Sequence, residues 1–399
     1  DRKKLAAMSS IIGLASKIIA ALMSFICRKF FLQYLGTDLL GISSTLLQVL
    51  DTLSLTELGF QTTIVFLLYR PLVEKNYEEV SKIMNLLKRV YFYIGILILI
   101  IGISVAPVLK HIITNVNVGY DVVYLVYFIM LAGTASSYFL SYNRALIQAD
   151  QKIYITNLIE SIIQIIGTSL KIVSIVLNNS IILYTFISSF STIIGNILSY
   201  LYYKKYYTWI DDSARADKGV IKDILTKTKE VFLCRIGGYV YSSTDNLVIS
   251  AFIGTRWVGL VGNYSTITNA IKMVIFGLTM PIQPMLGNFA VARSKEETEK
   301  IMLHYGFIRF TIAVFLVIPT MCLSDLFVEL FYGGDYVLNP IITILLSIDL
   351  FIICMQGAIG ELVDALGYFR QERKMYFFYA LTNLSLSIIG AKIWGIIPV

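Results

Sequence analysis

Near the start of the chain, two cations and two small residues share one helical stripe. Lys17, Ala21, Ser24 and Arg28 are spaced i, i+4, i+7 and i+11, and at about 100° per residue eleven steps return to within roughly 20° of the starting direction. Arg235, Tyr239, Ser242 and Asn246 repeat the spacing in the second half. Both stripes lie in apolar surroundings, where a lipid-facing cation is costly. They are therefore expected to face a common cavity, with Lys17 opposite Arg235. Two facing cations need an anion between them; phosphate or pyrophosphate suits, and arginine grips it bidentately. The other reading pairs each cation with an acid: Asp51, Glu160 or Asp349.

Further charges interrupt apolar stretches. Glu160, Gln164, Gly167 and Lys171 share a stripe, and Asp349, Gln356 and Gly360 share another face. Lys272 joins the expected substrate-binding set. Asp51, Glu160, Lys171, Asp245 and Asp349 form the set expected to couple transport to H+ or Na+, with Asp51 and Asp349 first. Arg28, Lys29, Glu57, Arg309 and Asp364 lie near span ends, where snorkelling to the interface competes with a buried role. No G-x-x-x-x-G-K-[ST] occurs, so no ATP-driven pump is expected. The four cysteines lack metal-ligand spacing. Neither a cofactor nor an enzymatic activity is expected.

The elements that carry these residues follow from composition. Apolar residues make up 57% and charged residues 15% of 399 residues, a balance that fits a polytopic membrane protein and no ordinary soluble domain. Eleven stretches reach the ~20 residues a spanning helix needs: roughly 5–33, 39–68, 91–113, 121–143, 154–177, 181–203, 229–253, 257–285, 304–331, 340–366 and 375–397. The net charge of +7 is not one basic patch that would suggest nucleic acid. With the N-terminus cytoplasmic, 23 of the 33 Lys and Arg fall in inside segments, whereas Lys110, Arg256 and Lys392 lie outside. A repeat organises the chain. Gly36-Thr37 followed by Gly41 recurs 218 residues on as Gly254-Thr255 followed by Gly259, and Lys152-Ile153-Tyr154 recurs at an offset of 222 as Lys374-Met375-Tyr376. The expected fold is all-α and integral to the membrane: two pseudo-symmetric bundles in parallel orientation, lobes 1–203 and 229–399, joined by a cytoplasmic linker 204–228 with a short interfacial helix. Amphipathic spacing predicts further interfacial segments at about 74–90 and 293–303. The sixth span shifted by about 222 residues falls beyond Val399, so a twelfth span is expected outside this sequence.

Residues 28–76 resemble the opening of Wzx-like polysaccharide flippases, members of the multidrug/oligosaccharidyl-lipid/polysaccharide (MOP) exporter superfamily. Arg28, Phe30, Leu35, Gly36, Gly41, Ile42, Leu53, Ser54, Leu55, Glu57, Leu58, Gly59, Tyr69, Pro71 and Leu72 carry the pattern. Residues 243–264 resemble the same family's turn between its seventh and eighth helices. The resemblance implies two six-helix bundles around a cationic cavity. It implies movement of an undecaprenyl-pyrophosphate-linked oligosaccharide across the bacterial cytoplasmic membrane by alternating access, for capsule, exopolysaccharide or O-antigen synthesis. The implied partners are that lipid-linked substrate, membrane lipids and H+ or Na+, with no nucleic acid. The implied state is a monomer contacting a polysaccharide polymerase or glycosyltransferases. A lipid II flippase and a multidrug antiporter are the rivals from the same superfamily; the antiporter predicts an acidic cavity.

Overall fold

A computed structural model describes residues 2–54, 60–114, 118–215, 219, 244–279, 286, 294–366 and 369–396. Among these residues the chain is all-helical, with no strand. The helices are α1 (Arg2–Leu53), α2 (Phe60–Val73), α3 (Tyr77–Val105), α4 (Leu109–Ile112), α5 (Tyr120–Ser141), α6 (Arg144–Ala149), α7 (Ile153–Asn178), α8 (Ile181–Tyr206), α9 (Asp245–Phe252), α10 (Thr255–Thr279), α11 (Lys295–Tyr332), α12 (Pro340–Leu366) and α13 (Phe369–Trp394). Seven of the described helices are long and apolar enough to cross a bilayer. Eleven spans are expected, and α1, α3, α5, α7, α8, α11 and α12 are the described helices that meet this criterion; α1 holds the first expected span and part of the second, and most of 229–253 lies outside the described residues.

The local signals are conventional. Asn76 caps α3 by accepting from the Glu79 amide at 3.1 Å, Ser180 caps α8, and Ser294 with Glu297 forms a capping box at the start of α11. Pro319 sits inside α11, where the Thr320 and Ser324 hydroxyls bond to carbonyls one turn back, local polar contacts of the kind that make a proline tolerable in a spanning helix.

Gly36, at φ 81° and ψ 175°, breaks α1. Ser24 and Leu47 would stand about 35 Å apart on a straight helix, yet they line one cavity, so the chain folds back at Gly36. Its repeat mate Gly254 has φ 129° and lies between α9 and α10. Only glycine takes such angles without strain. The two glycine turns pack reciprocally. A Cβ on Gly41 would meet the backbone of Thr255 and Gly259, and a Cβ on Gly259 would meet the backbone of Thr37 and Gly41. Backbone thus touches backbone across a local two-fold axis, as small residues permit between spanning helices. The first leg of α1 also runs alongside α11 in the same direction: Phe25 packs on Phe327 and Lys29 lies over Phe331, each one turn further along. At the same end Tyr336 donates to the Leu32 carbonyl at 3.3 Å. There Thr114 also donates to the Ser250 carbonyl, and Ser250 to the Ile112 carbonyl, each at 2.8 Å.

Two expectations need correction. Residues 74–90 and 293–303 are not separate interfacial helices. From Tyr77 and from Lys295 onward they are the first turns of the long helices α3 and α11. The apolar face read as lipid-facing is core: Val80, Ile83, Met84 and Leu87 are all buried. Nor does Arg309 snorkel. It is 2% exposed, donates to Glu361 Oε1 at 2.6 Å and to the Cys354 carbonyl at 2.9 Å, and its partner Glu361 also accepts from Thr279 and Tyr305. The interfacial helix expected within 204–228 falls largely outside the described residues.

Candidate functional site

The cations expected to oppose one another are only partly described. Lys17 lies on α1 but its side chain is outside the described set, as are Arg235 and Ser242 altogether. Arg28 and Ser24 are described, and both line a cavity of about 470 Å³ within the first half, between α1, α5 and α8. Arg28 has no carboxylate within ion-pair distance among the described residues. Its Nε donates to Asn263 Oδ1 at 2.6 Å and its Nη2 to the Gly259 carbonyl at 3.1 Å. A Cβ on Gly262 would stand 2.5 Å from that Nη2. The run Gly259-Leu-Val-Gly262-Asn263 on α10 is therefore a slot for one guanidinium. Asn263 is fully buried, and since arginine can only donate, its amide oxygen must face Arg28. The sequence offered this cation an anionic ligand or an acid and gave no sign of a carbonyl and an amide. The nearest signal was the glycine spacing of the slot. Asn246, the repeat mate of Arg28, is half-buried at the start of α9, so the cation of the first half has a neutral counterpart in the second.

The stripe Glu160, Gln164, Gly167 and Lys171 lines a second cavity of about 560 Å³ beside the first, bounded by α5, α7 and α8. Helical periodicity carried these four to one wall. Glu160 does not complement the α1 cations, however. It pairs with Arg144, which also donates to Asn196 Oδ1 at 2.8 Å. Lys171 lies 5.2 Å over the Tyr184 ring, and Tyr184 packs edge-on against Phe31 and accepts from the Cys27 thiol. Arg28 and Tyr184 line the first cavity and Lys171 the second, so the two cations approach this tyrosine from neighbouring chambers.

The remaining acids separate. Asp51 is exposed near the end of α1 and has no ion-pair partner among the described residues. In the second half, Asp245 on α9 lies within electrostatic range of Lys272 on α10 and of Asp349 on α12, and Asp349 within range of Lys272. Asp245 Oδ1 is buried without a hydrogen-bond partner among the described residues. Three of the predicted charges, from different helices and assigned to two different roles, thus lie within electrostatic range of one another.

This architecture defines a class. The inward-closed lipid II flippase MurJ superposes with a TM-score of 0.72 at 16% identity, over 97% of this chain and 83% of that one. A multidrug resistance MATE family transporter of the MOP superfamily, in an inward-facing conformation, superposes at 0.61 and 15% identity, over 98% and 90%. The chain is an integral, multi-pass membrane protein with a MOP-like fold. An uncharacterized membrane protein of Methanocaldococcus jannaschii is 23% identical over 96% of this chain and 90% of its own length. Residues 7–290 match the polysaccharide biosynthesis protein family, and the chain belongs to it.

Proposed function

We propose that this protein carries an undecaprenyl-pyrophosphate-linked oligosaccharide from the inner to the outer leaflet of a bacterial cytoplasmic membrane, its N-terminus facing the cytoplasm. The lobes 1–203 and 229–399 alternate around the cavity, the Gly36–Gly254 end being the outer one, and H+ or Na+ supplies the energy. One observation carries the reading: Arg28, among serine and threonine hydroxyls, is held by a neutral carbonyl and amide and not by an acid, so its charge is free to meet an anionic headgroup. Arginine presents a planar fork matched to phosphate oxygens. Lys171 adds a second cation on the way into the first half, and Lys17 and Arg235 extend the set. Asp245 and Asp349 beside Lys272 suit ion coupling, remote from the sugars.

The test is glycan export in cells that lack their own polysaccharide flippase. The wild-type gene restores export, Arg28→Ala abolishes it, and Arg28→Lys restores it in part. Full export by Arg28→Ala defeats the anion-site reading. Rescue of lipid II transport in place of glycan export would move the substrate to the cell-wall precursor.

A further inference from the structure

We propose that the paired polar chambers of the first half are a sugar subsite, holding the neutral sugar residues next to the pyrophosphate while Arg28 holds the phosphates. The inference rests on the flippase reading and adds where the glycan is recognised. The two cavities share Ser137, Ser141, Ser188 and Thr192 as a common wall and so lie side by side. Their volumes, about 470 and 560 Å³, each fall within the ~300–1,000 Å³ of small-molecule pockets.

The wall chemistry matches a polyol. Hydroxyl protons are spent on the helices themselves: Ser137 donates to the Gly133 carbonyl and Thr192 to the Ser188 carbonyl, each at 3.2 Å. Ser137 also accepts from Asn196 Nδ2 at 3.0 Å, so what these oxygens still offer is one lone pair on Ser137 and those on Thr192, which accept from sugar hydroxyls. Donors come from Gln164 and Lys171, whose amide and ammonium line the second chamber; a hydroxylated guest can pair with them where an apolar one cannot.

The fold does not require this polarity. At the repeat offset of 222, Glu160, Gln164, Gly167 and Lys171 correspond to Thr382, Leu386, Ile389 and Ile393 on α13. Three of those four are aliphatic. The polar stripe of α7 is a property of the first half alone, as a one-sided ligand site demands.

The experiment uses the full-length protein in nanodiscs and two probes, undecaprenyl pyrophosphate and an undecaprenyl-pyrophosphate-linked trisaccharide, with dissociation constants read by native mass spectrometry. The wild type should hold the trisaccharide lipid about tenfold more tightly, the effect of one or two added hydrogen bonds. Ser188→Leu and Gln164→Leu, each first shown to elute and melt as the wild type does, should bring the two probes within about twofold of each other. Should Ser188→Leu not fold, Gln164→Ala at an exposed wall position carries the comparison. Arg28→Ala should weaken both probes. Retention of the tenfold preference by the chamber variants overturns the subsite, as does equal binding of both probes by the wild type. If the wild type binds neither probe, the flippase reading itself is wrong.

Discussion

Adding one methyl group at Gly259 should push the two halves apart at the Gly36–Gly254 end. The Cβ of an alanine there would lie 2.5 Å from the Thr37 carbonyl oxygen, about 0.9 Å inside the 3.4 Å at which ordinary contact begins. Gly41 is tighter: its Cβ would run directly into the carbonyl oxygen of Thr255, with the carbonyl carbon 2.6 Å away. In both cases the obstacle is backbone, so no side-chain rotation relieves it. Overpacking of this kind costs about 1–3 kcal/mol. Charged against the closed arrangement alone, that shifts the balance between closed and open about 5- to 150-fold toward open. The clasp hydrogen bonds of Thr114, Ser250 and Tyr336 oppose the shift, and Gly41→Ala with Gly259→Ala should exceed either alone.

Spin labels at Asn178→Cys and Asp335→Cys, in a chain freed of its native cysteines, report this opening by electron double resonance. Both positions are exposed. Asn178 ends α7 two residues before the Ser180 cap of α8, and Asp335 follows the Gly333 turn after α11. The wild type should give a short distance, and Gly259→Ala a second, longer population that grows in the double variant. An unchanged distance distribution in a double variant that elutes and melts normally would refute the reasoning, because the close approach would then be packing without a gating role.

Three further outcomes follow from buried polar contacts. Arg309→Met leaves Glu361 charged and half-satisfied, which should destabilise the protein by about 3–5 kcal/mol; Arg309→Met with Glu361→Met should recover most of that loss in thermal melting in detergent. Asp325→Ala removes the acceptor of Tyr264 at 2.7 Å and of Thr343 at 2.8 Å, with an expected cost of about 1–3 kcal/mol, whereas Asp325→Asn keeps an acceptor oxygen and should lose less. Asp150→Asn weakens the 2.8 Å bond from Tyr207 and the 2.7 Å pair with Lys152. Both ends of that pair are about one-third exposed, so solvent screening limits the loss to ~1 kcal/mol, measurable as faster amide exchange in residues 207–215.

The parts of this structure legible in the sequence are those set by helical period and by backbone. The wall of Glu160, Gln164, Gly167 and Lys171 was readable because residues at i, i+4, i+7 and i+11 share a face whatever lies opposite. Gly36 and Gly254 were readable because a repeated glycine marks a repeated backbone angle. What stood opposite was not readable. Arg144 reaches Glu160 from sixteen positions away across the α6–α7 turn, and the acceptors of Arg28 are a backbone carbonyl with no residue signature and an asparagine 235 positions away. Amphipathy at 74–90 was real but silent on its partner, since the same stripe can face headgroups or protein. The depth of Arg309 escaped because hydropathy locates span ends only to within a turn or so.

The repeat keeps its backbone and varies its side chains, and the contrast separates scaffold from site. Gly41 and Gly259 are alike because two helices must touch through them, and a single Cβ on either breaks the contact. Arg28 and Asn246, Ser43 and Val261, and Thr45 and Asn263 are also repeat mates, yet none of these pairs is alike. Arg28 crosses to the other half and is held by Asn263 and by the carbonyl of Gly259. A cation whose repeat mate is neutral cannot bind both halves equally. It belongs to the cavity of the first half and is anchored by the second, so an anion that draws Arg28 away from Gly259 and Asn263 must also loosen the α1–α10 contact beside the glycine clasp. On the proposed function, substrate capture and separation of the halves thereby compete for the same guanidinium.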